Sequence, residues 1–125
     1  MGGWISKPAL SPGETVQWSR LAGRQQSALR TNGGRLFLTS KRLIHQPNRF
    51  DAMTGGKQWS TPRWTIRTID VQPRTKVMPF LGMAAGLRNR LRIELLTGDI
   101  ELFVVNRLGD VLSSLDSVRG QNGVR

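Results

Sequence analysis

The sequence predicts a mainly β domain, in which about seven antiparallel strands form a two-sheet sandwich or barrel that one C-terminal α-helix caps. Two stretches, 36–46 and 91–105, each have the pattern of two short strands joined by a polar turn. Apolar residues then recur at spacings of three and four between 107 and 118, which is typical of an amphipathic helix. With 125 residues, 38% of them hydrophobic, the chain is long enough for one domain with one core.

The first strand is predicted from Glu14 to Leu21, where alternation turns Val16 and Trp18 toward the core. Leu21 falls on the opposite face of this strand. We therefore expect a β-bulge or a strand end near Arg20.

The central hairpin follows residues 22–32, which are polar and basic and are predicted as its connection to the first strand, with strand pairing over part of their length as the alternative. Residues 36–38 form the first strand of the hairpin, 39–41 the turn and 42–46 the second strand. Pro47 ends the second strand, because proline donates no hydrogen bond to a strand ladder. Leucine and phenylalanine alternate in the first strand, so we expect apolar side chains on both faces and partial cover of the second.

The second half of the chain begins with a turn or long loop over 51–62, predicted from its glycines. Residues 63–74 are predicted as a strand pair or one bent strand. The hairpin at 91–105 turns at 97–99. Asn106 is then the predicted N-cap of a helix over about 107–118.

Glycine and proline set the predicted domain limits. Residues 1–13 hold three glycines and two prolines and are predicted to be a flexible N-terminal arm. The domain itself is expected over 14–119. Gly120 ends the helix, and residues 120–125 form a frayed tail.

Composition argues against catalysis. The chain has no cysteine, which excludes disulfides and thiolate metal sites, and its eight acidic residues are scattered. Its only histidine, His45, alternates with Leu43 on a predicted strand, which favours a structural role. We expect no enzyme, no catalytic residue, no metal site, no cofactor and no small-molecule substrate.

Charge favours an anionic partner. Lysine and arginine total 19 against eight acids, which gives a net charge of +11. No acid occurs from Thr15 to Phe50, although seven cations do. The alternative interpretation is that this charge only keeps the domain soluble.

The segment Gly-x-Leu-x-Leu-Thr-Ser-x-Arg-Leu-Ile, which begins at Gly34, resembles the central hairpin of GRAM domains and of bacterial PH-like domains. The resemblance covers roughly Glu14 to Arg119. It implies two nearly orthogonal antiparallel sheets and a capping helix. No tryptophan lies between 107 and 119, whereas many eukaryotic PH domains have one in this helix, so the GRAM or bacterial branch is favoured.

The resemblance implies binding to anionic membrane lipid through basic residues at the open end of the first hairpin. The matching positions and their neighbours are Arg20, Arg24, Arg30, Lys41 and Arg42. Arginine can hold a phosphate through two hydrogen bonds. The alternative is that these side chains form an ordinary solvated sheet face.

An uncharged stretch from Val77 to Leu87 is a second candidate, as a loop that enters a membrane or binds a partner. Its large apolar residues are Met78, Phe80, Leu81 and Met83. The alternative is that they fold back onto the core or pack in a subunit contact.

Two other functions remain open at this point. A PH-like domain can accept a peptide beside an edge strand or self-associate there, which predicts a protein partner or a homo-oligomer. Nucleic-acid binding ranks third, because the only predicted helix is not dense in arginine and lysine. The expected location is cytoplasmic, with peripheral association at a membrane.

Overall fold

Eight antiparallel strands and one C-terminal helix make up most of this computed structural model, which describes residues 7–27, 30–73 and 89–121. The predicted class, mainly β with a C-terminal helix, is confirmed. The strands are β1 (Val16–Ser27), β2 (Arg30–Asn32), β3 (Gly34–Thr39), β4 (Arg42–Pro47), β5 (Trp59–Pro62), β6 (Ile66–Gln72), β7 (Arg90–Leu95) and β8 (Ile100–Val105). The helices are α1 (Arg49–Met53) and α2 (Leu108–Gln121), with a 3-10 turn over Arg63–Thr65.

The long strand β1 joins the two halves of the strand order, which runs β5-β4-β3-β1-β8-β7-β6. Its first half pairs with β3, and its second half pairs with β8 and with β2. The stretch 22–32, predicted as a connection with pairing over part of its length as an alternative, is therefore paired over most of its length. Polar residues continue the strand there because their backbone pairs with β8 over 22–24 and with β2 over 24–27, which overrides their weak strand propensity.

The irregularity predicted in β1 lies elsewhere. The register shifts between Val16 and Trp18, not near Arg20. Leu21 simply points outward and is 56% exposed, so it needs no bulge. Val16 is 45% exposed, so its predicted place in the core was wrong.

The central hairpin has the predicted strands, turn and end. Phe37 pairs with Ile44 on the face opposite to Leu36, and all three are buried, so the second face is covered as expected. Gly34 is required at the start of β3, because a Cβ there would lie 2.1 Å from the carbonyl oxygen of Gln46. Pro8 of the N-terminal arm is also buried.

Residues from both halves of the strand order and from α2 form the hydrophobic core. It includes Leu36 of β3, Ile93 of β7 and Phe103 of β8, together with Val111 and Leu115 of the helix. The helix packs against β6 and β7. This burial of a three-and-four spaced stripe explains why the helix forms at this point of the chain.

The ends of α2 differ slightly from the prediction. Arg107, with φ of 55°, directly precedes the helix, so Asn106 is not the N-cap. Gly120 does not end the helix, which continues to Gln121.

The loop predicted over 51–62 contains the end of α1 and the whole of β5, and both were missed. The candidate loop Val77–Leu87 lies outside the described residues.

Candidate functional site

The structure does not bring the five predicted cations together. Arg24 donates from Nε to Glu101 Oε1 at 3.0 Å, and its guanidinium lies 5.8 Å from the centre of the Trp59 ring. Arg20, half-buried in β1, makes no hydrogen bond or ion pair in the part of the chain that the structure describes. Arg24, Arg30 and Arg42 already have partners within the fold, and the binding role of the five cations stays a prediction.

Arg30 holds the short helix α1. Its guanidinium donates to the carbonyl oxygens of Thr54 at 2.6 Å and Asp51 at 3.0 Å, which are near the C-terminal end of that helix. It also lies 3.8 Å from the Asp51 carboxylate. A cation at this end satisfies carbonyls that have no partner within the helix.

The other end of α1 is fixed by an N-cap. The Asn48 side chain accepts a hydrogen bond from Asp51 N at 2.8 Å, and the Asp51 carboxylate accepts one from Gly33 N at 2.7 Å. Asparagine is among the best N-cap residues. Gly56 allows the chain to turn back closely, because a Cβ there would lie 2.6 Å from the Asp51 carbonyl oxygen.

The contacts at the two ends of α1 fix a helix whose apolar side chains are exposed to solvent. No residue of α1 is buried; Phe50 is 61% and Met53 is 85% exposed. Arg49 and Lys57 lie on either side and are exposed, and neither forms an ion pair within the described residues. We call Arg49, Phe50, Met53 and Lys57 the α1 tip.

A second site, which we call the hairpin pocket, lies beside the turn between β3 and β4. It is a cavity of about 660 Å³. It is lined by Ser11, Glu14, Gln17, Ser40, Lys41, Arg42, Pro62, Arg63 and Trp64. The turn and the first residue of β4 contribute Ser40, Lys41 and Arg42. The 3-10 turn before β6 contributes Arg63 and Trp64.

Glu14 organises the hairpin pocket. Its buried carboxylate accepts hydrogen bonds from Arg42 Nε at 2.8 Å, from Ser11 N at 2.9 Å and from the Thr39 hydroxyl. Chiefly through the bond from Arg42, with help from Thr39 and Ser11, these donors lower the pKa of Glu14 to about 2. Glu14 is therefore ionised at neutral pH.

The cations of the hairpin pocket have different partners. Among the described residues, Lys41 Nζ donates only to neutral oxygens, at 3.2 Å from Pro12 O and 3.4 Å from Ser11 Oγ. Arg63 is buried, donates to Gln17 Oε1 at 2.9 Å and to a backbone carbonyl, and has its pKa lowered by that burial. Trp64 is 68% exposed at the rim.

His45 is structural in its geometry, as predicted. It is fully buried against Phe103, and its Nε2–H donates to the Ala22 carbonyl oxygen at 2.8 Å. Its Nδ1 makes no hydrogen bond to any residue within 7–27, 30–73 and 89–121. Burial lowers the pKa of His45 to about 4, so the ring is neutral at physiological pH.

Sequence reasoning found Lys41 and Arg42 but missed Glu14, Arg63 and Trp64. One signal was available: Ser11 and Glu14 have the Ser-x-x-Glu spacing in which a glutamate bonds back to a backbone N–H, here without a helix. The signal for α1 was Asn48, followed three residues later by Asp51.

No family model and no curated protein matches this chain. Among solved structures, it is similar to a crystal structure of the C-terminal domain of an unknown protein from Leishmania infantum. The TM-score is 0.60 at 19% sequence identity, and the match covers 85% of this chain and 84% of that one. At that identity, the likeness supports the fold alone.

Proposed function

We propose that this chain is a non-enzymatic binding module of the PH and GRAM type, a two-sheet sandwich or barrel that docks on an anionic membrane surface through the α1 tip. The observation that carries this proposal is the exposure of Phe50 and Met53 on a helix that has no buried residue. The fold uses an N-cap and Arg30 to hold the helix, so the backbone that carries the two apolar side chains is in place before any partner arrives. Such preorganisation lowers the cost of binding.

The expected energies suit reversible peripheral docking. Complete burial of a phenylalanine or methionine side chain contributes roughly 1.5–3 kcal/mol. Each cation near an anionic bilayer adds about 1 kcal/mol, which Arg49 and Lys57 would supply. No helix within residues 7–27, 30–73 and 89–121 has the length and apolarity needed to span a bilayer.

In this proposal Arg30 positions the tip and does not itself hold a headgroup. Its donors already bind α1 carbonyls, and Arg24 is paired with Glu101. The net charge of +11 steers the domain toward an anionic surface, and this long-range attraction falls as salt rises.

Vesicle flotation tests the proposal. Wild-type protein is expected to float with phosphatidylserine vesicles at low salt and to bind neutral phosphatidylcholine vesicles weakly. The double variant Phe50→Ser, Met53→Ser removes both apolar contacts and is expected to lose most of the binding. The matched control is Val16→Ser, Leu21→Ser, which removes two exposed apolar residues from β1 and leaves flotation unchanged.

Two outcomes would reject the proposal. One is equal flotation of wild type and the tip variant on anionic vesicles. The other is the absence of vesicle binding together with capture of an acidic protein or concentration-dependent self-association, which would favour the protein-interaction function. Tight, steeply salt-dependent DNA binding that lipid does not affect would instead favour nucleic acid.

A further inference from the structure

The hairpin pocket is distinct from the α1 tip. The two lie at opposite ends of β4, which begins at Arg42 and ends at Pro47, directly before the N-cap of α1. At about 3.3 Å per residue, the ends of β4 are separated by roughly 17 Å. The tip is convex and apolar, whereas the pocket is concave and polar.

Three consecutive residues, Ser40 and Lys41 of the turn and Arg42 at the start of β4, keep donors available in the pocket. Arg42 uses Nε and Nη2 on Glu14 and Ala9 O, but its Nη1 makes no hydrogen bond to the described residues. Lys41 has three N–H donors and contacts two neutral oxygens. Ser40 Oγ accepts from Thr15 N, which leaves its own proton to donate.

The charge of the pocket matches a dianion. Lys41, Arg42 and Arg63 line it together with one carboxylate, which leaves a surplus of two positive charges. The Glu14 carboxylate is already occupied by Arg42, Ser11 and Thr39. A phosphate monoester carries a charge of about −1.5 to −2 at neutral pH and brings three acceptor oxygens.

The size of the pocket indicates more than a phosphate. A cavity of about 660 Å³ lies within the usual range for organic ligands. The exposed Trp64 indole and Pro62 offer apolar surface at its edge, and an indole stacks well on a ring. We infer that the hairpin pocket binds a phosphate monoester whose organic part carries a ring, with the phosphate on Lys41 and Arg42 and the ring against Trp64.

Titration followed by NMR, with phenyl phosphate and inorganic phosphate as probes, tests this inference. Phenyl phosphate is expected to bind about three- to tenfold more tightly than inorganic phosphate because it adds the ring contact. Lys41→Gln is expected to weaken both probes about tenfold, since it removes a charged donor. Trp64→Ala is expected to remove only the advantage of phenyl phosphate.

Three control variants are matched to these changes. Arg49→Gln removes an exposed cation at the other end of β4 and leaves phenyl phosphate binding unchanged. Lys41→Arg keeps the charge and retains binding. The tip variant Phe50→Ser, Met53→Ser also binds phenyl phosphate normally, so failure of the membrane proposal and failure of this inference are distinguishable.

A vesicle arm identifies the source of the phosphate. The tip variant is mixed with vesicles that contain phosphatidic acid, a monoester, or phosphatidylglycerol, a diester. Phosphatidic acid has no ring, so this arm tests the phosphate contact alone. Flotation that requires phosphatidic acid and is lost on adding Lys41→Gln shows that the site accepts a monoester on a lipid, whereas binding of phenyl phosphate without such flotation assigns it to a soluble ester. The inference is overturned if wild type binds neither probe saturably and no monoester vesicle, or if Lys41→Gln and Trp64→Ala both bind phenyl phosphate as tightly as wild type.

Discussion

The α1 tip and the hairpin pocket each depend on an arginine of their own, and the two arginines have different roles. Arg30 donates to backbone carbonyls and holds a helix that displays apolar side chains. Arg42 pairs with the buried carboxylate of Glu14 and shapes a polar cavity. In a chain so poor in acids, the donors that a paired arginine leaves unused, such as Nη1 of Arg42, and the cations that have no acidic partner mark the surfaces that can meet an anion.

The largest expected effect is shared by both regions, because β4 connects them and His45 lies within it. The pKa of His45 is about 4 in the fold and about 6.5 when exposed, so the unfolded chain takes up a proton that the fold excludes. The contribution of His45 to the free energy of unfolding is therefore fully present above pH 6.5. It falls as the pH drops toward 4, by about 3 kcal/mol in all. Denaturant unfolding at several pH values measures this loss.

His45→Leu checks the cause. This variant loses the hydrogen bond to Ala22 O and is less stable at pH 7, but its stability should not change between pH 6.5 and 4. If the free energy of unfolding of His45→Leu fell with pH as steeply as that of wild type, the pH dependence would belong to other groups.

The next largest effect should be confined to the tip. Arg30→Met keeps the aliphatic stem but removes the donors to Thr54 and Asp51. We expect the free energy of unfolding to fall by about 1–3 kcal/mol, reduced by the partial exposure of the guanidinium. Hydrogen exchange should show lost protection in α1, and flotation should weaken although Phe50 and Met53 remain.

Arg20→Met is the matched control, since Arg20 has no hydrogen bond or ion pair to lose within the described residues. Its effect should be within about 0.5 kcal/mol. Full protection of α1 and full flotation in Arg30→Met would show that the helix does not need this arginine.

A smaller effect on stability is expected in the hairpin pocket. Its pH dependence lies below pH 4.5. The pKa of Glu14 is lowered from 4.5 to about 2, so its contribution to stability is complete above pH 4.5 and is lost as the pH falls toward 2. Glu14→Gln should melt at a lower temperature than wild type at pH 7, with a flatter decline below pH 4.5. Asp99→Asn, which alters an exposed acid in the β7–β8 turn, should leave that decline unchanged, and a flattening there would contradict the assignment.

The smallest effect on stability is expected for the tip variant itself. Phe50 and Met53 are mostly exposed, so replacing both with serine should change the free energy of unfolding by no more than about 0.5 kcal/mol. Thermal melting measures it. A clear loss of stability would mean that these side chains support the fold and are not held out for a partner.

How much of this could be predicted from the sequence depends on the range of the interactions. The two hairpins and α2 have strong local patterns, and they were predicted within a few residues. The second half of β1 is polar and becomes a strand only through pairing with β2 and β8, which no local pattern reports. The α1 helix is too short for periodicity to reveal it.

The sites were harder still, because their contacts join distant residues. Arg30 reaches Thr54 across 24 positions, and Arg42 reaches Glu14 across 28. The charge count correctly marked the region as basic. It could not reveal which cations were already paired, and that pairing decides where an anion can bind.

The most direct test of the central claim is the depth of Met53 on a vesicle. The chain has no cysteine, so Met53→Cys can carry a single nitroxide label, with Ser113→Cys on the exposed face of α2 as the reference. On phosphatidylserine vesicles, the label at 53 should become accessible to oxygen and shielded from a water-soluble nickel chelate, while the label at 113 stays in water. A vesicle-bound protein whose label at 53 remains as open to the chelate as it is in solution would contradict the account.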